Sequence, residues 1–298
     1  MGEPLDLAAI LPAPAAAGRV VLVCNPQAGR YSPARLAALR GALEQAGHEV
    51  AVADSLEYRA GAGGEARELA CLVGGDGTAR TVVALSRDHA HRADFCLYPA
   101  GTVNLIAREA GYGAGAGGLL ARMAARAARR HFYGEIDGEP FLCCASVGID
   151  SLVVARVSTR AKRRIGRLAY ALALGALLPR WPRPALAVTV DGARHHAEAA
   201  FVCKGRFYAG PWVLDPAADL TTPEFRVLLL PRARRRDIAR LFASAVLGGR
   251  LADPDWVRLS ARTIAIAADA PLPVQADGDV VAATPVSIRI APEPLRFF

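Results

Sequence analysis

Apolar and polar positions over the first hundred residues alternate between short buried runs and longer amphipathic stretches. Residues 19–24 (RVVLVC) are an apolar run stopped by Asn25-Pro26, which predicts a buried strand followed by a turn. Residues 32–46 carry apolar positions at helical spacing, with Ser32 as cap, Pro33 at the first helical position and Gly47 closing the helix. The same reading predicts strands at 48–53, 69–73 and 95–98, and helices at 78–87 and 104–110. Strands that alternate with helices imply a parallel sheet covered on both faces.

From about residue 130 the pattern changes. Strand-like runs at 186–190, 199–203, 226–230 and 286–290 occur among Asp137-Gly138, Asp191-Gly192 and Asp277-Gly278, the dipeptide favoured in two-residue hairpins. Helical stretches at 159–178 and 234–248 interrupt them. The expected fold is therefore an α/β domain followed by a mostly β domain. We divide the chain into an Ala/Pro-rich tail (1–18), an α/β domain (19–130) and a β-rich domain (131–298) whose last strand is free to pack back on the first.

Composition narrows the class. Of 298 residues, 53% are hydrophobic and 21% charged, enough for a buried core and against global disorder. Lys plus Arg exceed Asp plus Glu by 36 − 28 = +8, which favours anionic partners without choosing among them. No aromatic-interleaved basic module is present, so nucleic acid is not an expected partner. The six cysteines lack C-x-x-C spacing and sit in apolar runs, as reduced core residues of a cytoplasmic protein do. No signal peptide is evident, and the longest span candidate, residues 168–178, is far short of the ~20 residues a membrane helix needs.

The strongest local feature is the strand at 69–73 running into Gly74-Gly75-Asp76-Gly77-Thr78 with a helix behind it. Glycines let backbone approach a phosphate, and a helix N-terminus offers free N–H groups. Asp76 would repel an anion but fits beside Mg²⁺ on a phosphate. Two more loops follow strands, Asn25-Pro26-Gln27-Ala28-Gly29 and Pro99-Ala100-Gly101-Thr102-Val103-Asn104, on the edge where ligands bind in parallel sheets. Each by itself is also ordinary turn chemistry. Residues 113–118 satisfy G-x-G-x-x-G, but they follow a helix rather than a strand, so they are read as a connector and not a dinucleotide fingerprint.

These three loops, in this order, resemble the diacylglycerol kinase catalytic family, which includes sphingosine and other lipid kinases and is related to NAD kinases. Further matches are residues 145–150, Gly166-x-x-x-Tyr170, residues 205–211 and Gln275-x-Asp277-Gly278-Asp279. The resemblance implies a three-layer α/β domain that holds ATP, an antiparallel β-sandwich-like domain on the lipid side, and an active site in the cleft between them. It implies ATP and Mg²⁺ as cofactors, with Asn25, Pro26, Gly29, Arg30, Gly74, Gly75, Gly77, Thr78, Gly101, Thr102 and Asn104 around the nucleotide. Asp76 would hold the Mg²⁺ directly or through water, and Asp277 would be the general base for a lipid hydroxyl. For Asp277 an ordinary hairpin role is the competing reading, as for Asp137 and Asp191. For Arg30 it is that of an exposed loop arginine. Alanine at Asp76 or Asp277 is expected to abolish turnover and leave folding intact.

The chain departs from the family pattern at several carboxylates. Leu105 follows Asn104 where most members have Asp, although sphingosine-type members also lack it. Arg80 and Thr81 stand in place of Asn-Glu, Asp279 replaces Glu, and Thr222-Pro223 replace an Asp-Gly pair. Two alternatives therefore stay open: an NAD-kinase-like enzyme with a soluble substrate, and a nucleotide or lipid sensor. The expected partner is a lipid substrate. Residues 169–178 are either core or an acyl-chain wall, and Lys162, Arg163, Arg164 and Arg167 suit peripheral contact with an anionic inner membrane face. Oligomeric state stays open, a homodimer included.

Overall fold

The computed structural model describes residues 18–62, 68–113, 115–125, 128–166, 168–251 and 253–298. The tail at 1–17, Ala114 of the glycine-rich connector and Arg167 lie outside the described residues.

In the first domain β1 (Arg19–Cys24), β2 (Glu49–Asp54), β3 (Leu69–Gly74) and β4 (Asp94–Pro99) run parallel in the order β2-β1-β3-β4. Residues 20–24, 70–74 and 95–98 are buried without alternation, because helices cover both sheet faces. The covering helices are α1 (Pro33–Gln45), α2 (Asp76–Leu85), α3 (Leu105–Glu109) and α4 (Ala116–Ala125). The connector expected at 113–118 does join helices, but Gly117 and Gly118 belong to the first turn of α4. β5 (Arg129–His131) then lies along the far edge.

The second domain is two antiparallel sheets. One holds β6 (Gly134–Ile136), β7 (Glu139–Phe141), β9 (Leu186–Val190), β10 (Ala193–Ala197), β16 (Thr263–Ala268) and β19 (Val286–Ile290). The other holds β8 (Cys144–Val147), β11 (Ala199–Cys203), β14 (Phe225–Leu230), β15 (Val257–Ala261), β17 (Pro273–Ala276) and β18 (Asp279–Ala283). Their facing side chains, among them Phe141, Val188 and Ile264 against Val202, Val227 and Val274, form one core. The second sheet also buries its other face: Phe201, Leu228 and Leu230 pack under α5 (Ile149–Arg156), α7 (Leu168–Leu177) and α8 (Arg235–Val246). The helical stretch at 159–178 is two helices, α6 (Thr159–Ile165) and α7, because Gly166 takes φ 54° between them. The short ribbon β12 (Phe207–Tyr208) and β13 (Trp212–Val213) completes the domain. Finally, β20 (Leu295–Phe297) crosses back to the first sheet, parallel to β4 and antiparallel to β5.

The Asp-Gly pairs at 137–138, 191–192 and 277–278 are two-residue hairpins with positive φ at both central positions (Asp 48°, 44° and 49°; Gly 89°, 88° and 89°). Packing elsewhere is equally demanding. A Cβ on Gly134 would come 2.2 Å from the fully buried Phe141 ring. Gly134→Ala is expected to lower stability by about 1–3 kcal/mol, seen as a lower denaturant midpoint at unchanged slope. Among the described residues no helix is long and apolar enough to cross a membrane. All six cysteines are free and buried.

Candidate active site

The three glycine-containing loops meet at the carboxyl edge of the first sheet and are stitched to one another. The Asn25 amide accepts from Gln27 N (2.9 Å) and donates to Thr78 Oγ1 (3.1 Å), joining the first loop to the second. Arg30 N donates to Ala100 O (2.8 Å), and Ala100 N to Gly74 O (2.8 Å), closing the circuit through the third loop. Asn104 sits in the left-handed region (φ 56°), where its side chain accepts from Gly101 N and donates to Gly101 O, both at 2.9 Å.

The structure adds a second role to residues at this edge. Gly75 and Gly101 do not merely clear space for a ligand. A Cβ on Gly101 would lie 2.5 Å from Gly75 Cα, so these glycines let two loops touch backbone to backbone. Asp76 also holds the third loop, because its two carboxylate oxygens accept Leu105 N (2.8 Å) and Ile106 N (3.0 Å) at the start of α3. That end of α3 is thereby taken by a carboxylate. The first turn of α2, over residues 76–78, keeps the amides that no intrahelical carbonyl can reach. Pro26, Gly29, Arg30 and Thr102 are exposed around this edge, and Thr78 is buried.

Asp277 approaches from the second domain. Its carboxylate accepts Leu142 N (2.6 Å), Cys143 N (2.8 Å) and Cys144 N (3.1 Å). The same device serves the other hairpins: Asp137 accepts Ser287 N, and Asp191 accepts Arg262 N and Thr263 N. What differs is the setting. Asp191 feels some desolvation, but its bonds to Thr263 and Arg262 outweigh this and hold it below the usual carboxylate range. Asp277 is pushed up to about 6, chiefly by burial and further by the charge of Asp76, against the pull of its three N–H donors. Asp76 is raised too, by burial, with the Leu105 and Ile106 amides opposing. The charge of Asp76 therefore reaches Asp277 across the junction of the domains. A carboxylate has about four lone-pair directions, so three N–H bonds leave Asp277 room for one further donor.

The junction is tied by Asp279. Arg80 of α2 reaches its Oδ2 at 3.0 Å, and Lys162 of α6 reaches its Oδ1 at 2.6 Å. A Cβ on Gly77 would sit 3.7 Å from the same Oδ2. Two departures from the family pattern, Arg80 and Asp279, thus meet as an ion pair between the domains. Lys162 also donates to Gly278 O, and Tyr170 OH lies 3.4 Å from that carbonyl. The expectation that Lys162 faces a membrane is corrected: its ammonium turns inward onto the Asp277–Asp279 turn.

Sequence reasoning missed Asp150, Tyr208 and Gln275 as site neighbours. Ser146 and Tyr208 donate to the Asp150 carboxylate, and Gln275 Oε1 accepts Gly278 N at 3.0 Å. The motifs containing them stood out, but their convergence needs the sandwich. Where Thr222 and Pro223 replace the Asp-Gly pair, the turn closes on itself. Asp219 accepts Thr221 N (2.8 Å), Thr222 Oγ1 donates to Asp219 O, and the buried Lys204 ammonium donates to that same carbonyl. Desolvation lowers Lys204 to about 8. A cavity of about 420 Å³ lies away from the phosphate loops, lined by Arg122, His131, Arg206 and residues 216–221.

No cluster of three or more metal-binding side chains occurs among the described residues. Mg²⁺ on a polyphosphate needs only one or two protein carboxylates, the rest being phosphate and water. The donor set fits that case. Asp76 carries a raised pKa without a cationic partner among its causes, whereas Asp279 is already neutralised by Arg80 and Lys162.

A parallel sheet with anion-ready loops, faced by a carboxylate from a β-sandwich, defines a two-domain phosphotransferase fold. Comparison with known proteins agrees. Residues 19–136 match the diacylglycerol kinase catalytic domain, and residues 143–298 match the YegS C-terminal NAD kinase beta sandwich-like domain. The chain belongs to the diacylglycerol kinase catalytic family, in the lipid-kinase group that carries the NAD-kinase-like second domain. It is 28% identical over 305 residues to a Pseudomonas aeruginosa protein named "Probable lipid kinase YegS-like", covering 93% of each chain. It is 22% identical over 214 residues to the diacylglycerol kinase of Staphylococcus carnosus, covering 71% of this chain and 70% of that one. A crystal structure of a diacylglycerol kinase from Bacillus anthracis str. Sterne shares the fold, with TM-score 0.73, 17% identity, and coverage of 94% of this chain and 96% of that one.

Proposed function

We propose that this lipid kinase transfers the γ-phosphoryl group of ATP to a lipid hydroxyl, and that Asp277 takes the hydroxyl proton. The observation that carries the reading is the Asp277 carboxylate. It is fixed by three backbone amides, raised to about 6, and close enough to Asp76 of the phosphate loop to feel its charge. Phosphoryl transfer asks mainly for positioning and charge neutralisation. Asn25, Gly29, Gly75, Gly77 and Thr102 surround the nucleotide in this reading, with α2 supplying first-turn amides that no intrahelical carbonyl reaches. Asp76 would hold the magnesium of Mg·ATP, directly or through water, and the ion would neutralise charge on the phosphates. Asp277 accepts the proton as the lipid oxygen becomes a nucleophile, a role worth ~10²-fold or more. Arg80 and Lys162, locked on Asp279, hold the catalytic turn against α2.

The pH dependence follows from the raised pKa. A base must be ionised, so kcat should rise with pH through about 6 and level off above it. The same shift means that the folded state binds this proton more tightly than the unfolded chain, whose carboxyl titrates near 3.8. Stability from this group is present below 3.8 and is lost as pH rises through about 6. A pH–rate profile paired with pH-dependent denaturation checks both limbs.

The direct test is a screen with radiolabelled ATP and Mg²⁺ over diacylglycerol, monoacylglycerol, sphingoid bases, ceramide, polyprenols and NAD, with Asp76→Asn as control. Label in an extracted lipid, lost in the variant, is the expected result. Label in NAD alone, or in nothing despite Mg·ATP binding, contradicts the lipid reading and favours a soluble substrate or a sensor.

A further inference from the structure

The outer layer of the second domain carries a surface that the phosphoryl-transfer reading does not use. The ten residues of α7 include one polar side chain, Tyr170, and that one turns inward to Gly278 O. Ala169, Ala173 and Leu177 face the core. The opposite stripe, Leu168, Ala171, Leu172, Gly175 and Ala176, is exposed and has no polar residue, with Leu168 at 58% and Leu172 at 60% exposure. A helix on a water-facing surface ordinarily carries charge there. The stretch expected to be either core or acyl-chain wall is thus core on one face only.

Apolar side chains are also exposed at Val246, the last residue of α8, which covers the same sheet face, and at Leu247 and Leu251 just after it. Of eleven large hydrophobic residues exposed among the described residues, eight lie within 165–178 or 242–251, so exposure is concentrated on this one layer. The segment after α7 is tied to the start of α8: Trp181 Nε1 donates to Ala233 O at 2.7 Å, and the Arg235 guanidinium bonds to Leu178 O. The segments that carry the patch are predominantly basic, although Arg232 and Arg240 pair with Asp255 and Asp253 just beyond them. Residues 159–180 contain no Asp or Glu, and in 232–251 the sole acid, Asp237, is buried against Arg234. Arg160, Arg164, Arg180 and Arg236 stand exposed in these segments.

We propose that α6, α7 and α8 form a docking face for an anionic lipid bilayer, with the apolar stripe entering the headgroup boundary and the arginines meeting lipid phosphates. The inference rests on the lipid-kinase reading and gives it a place of action. The helices that present the stripe also grip the catalytic turn through Lys162 and Tyr170, so docking puts the site beside acceptors still held in the bilayer. Apolar burial combined with attraction to anionic lipid is the physics of a surface-bound helix, and none of these helices is long enough to span.

The experiment compares the full chain with Leu168→Gln/Leu172→Gln and Arg160→Gln/Arg164→Gln. These positions are exposed, so folding should be unaffected. Sedimentation with vesicles of phosphatidylcholine alone, or with about 30% phosphatidylglycerol, reads the face without activity. Wild type should bind only the anionic vesicles, and less as salt rises. The leucine variant should bind at least ~10-fold more weakly. The arginine variant should lose about fivefold for each arginine removed. Phosphorylation of an acceptor in those vesicles should fall in parallel, while phosphorylation of a short-chain soluble acceptor stays within about twofold, since neither pair touches the site. Wild type that ignores anionic vesicles, or variants that bind them equally well, overturns the proposal. So does a wild-type dimer dissolved by the leucine substitutions, which would assign the face to a second copy. A chain that docks as expected but phosphorylates no lipid, soluble or embedded, leaves the face standing and removes the kinase reading.

Discussion

Asp277→Asn should lower kcat at least ~100-fold and leave Mg·ATP binding within a few-fold. Asparagine keeps the shape, and its Oδ1 can still accept Cys143 N and Cys144 N. Its Nδ2 then faces Leu142 N, donor against donor, where the carboxylate accepted at 2.6 Å. One buried N–H left unpaired costs about 1–3 kcal/mol. Removing a buried negative charge beside Asp76 offsets part of that, so the variant should remain folded. Alanine is the poorer test, and the expectation that it leaves folding intact needs revising, since it would orphan three backbone amides at once. Turnover, nucleotide titration and denaturant midpoint, measured on the same preparation, separate a lost base from a lost fold. Turnover within a few-fold of wild type would remove Asp277 from the chemistry.

Gly101→Ala should be almost as damaging by a different route. Its new Cβ would lie 2.5 Å from Gly75 Cα, 2.6 Å from Asn104 Oδ1 and 3.1 Å from Gly75 N. Two of those atoms are backbone, so no rotamer change relieves the contact. The second and third loops must separate, which breaks the Asn104 bonds to Gly101 and strains the Asp76 hold on Leu105 and Ile106. A shift of about 1 Å in a positioning loop can cost ~10²-fold in rate. Here nucleotide affinity should fall with it, unlike Asp277→Asn. Gly29→Ala should be milder, since its neighbour is the Thr102 hydroxyl at 3.2 Å. Gly41→Ala in α1, with nothing within 4 Å, is the control and should stabilise by about 0.5–1 kcal/mol. Isothermal titration with Mg·ATP across the series checks the order.

What was legible in the sequence was local. The first strand runs from Arg19 to Cys24 as its apolar pattern indicated, because a strand buried on both faces needs a continuous apolar run. The Asp-Gly pairs were legible as hairpins because φ above zero at both positions selects those residues. The family order of the three loops was legible for the same reason: each is a short motif at a strand end. What was not legible depends on partners far along the chain. Asp76 holds amides 29 and 30 residues away, Lys162 reaches across 117 residues to Asp279, and Arg80 reaches it across 199. A basic run such as 162–164 looks like a solvated face until the fold turns one member inward. The loop-to-loop role of Gly75 and Gly101 was not legible, since loop contact and ligand approach leave the same mark on a sequence.

The most direct measurement is a carbon-13 NMR titration of the Asp277 carboxyl in the wild type and in Asp76→Asn, both without nucleotide. If the phosphate loop and the carboxylate of the sandwich share one site, the wild-type group titrates near 6 and moves to lower pH when the charge at position 76 is removed. A midpoint in the ordinary carboxylate range, or one that does not respond to Asp76→Asn, would contradict a common site.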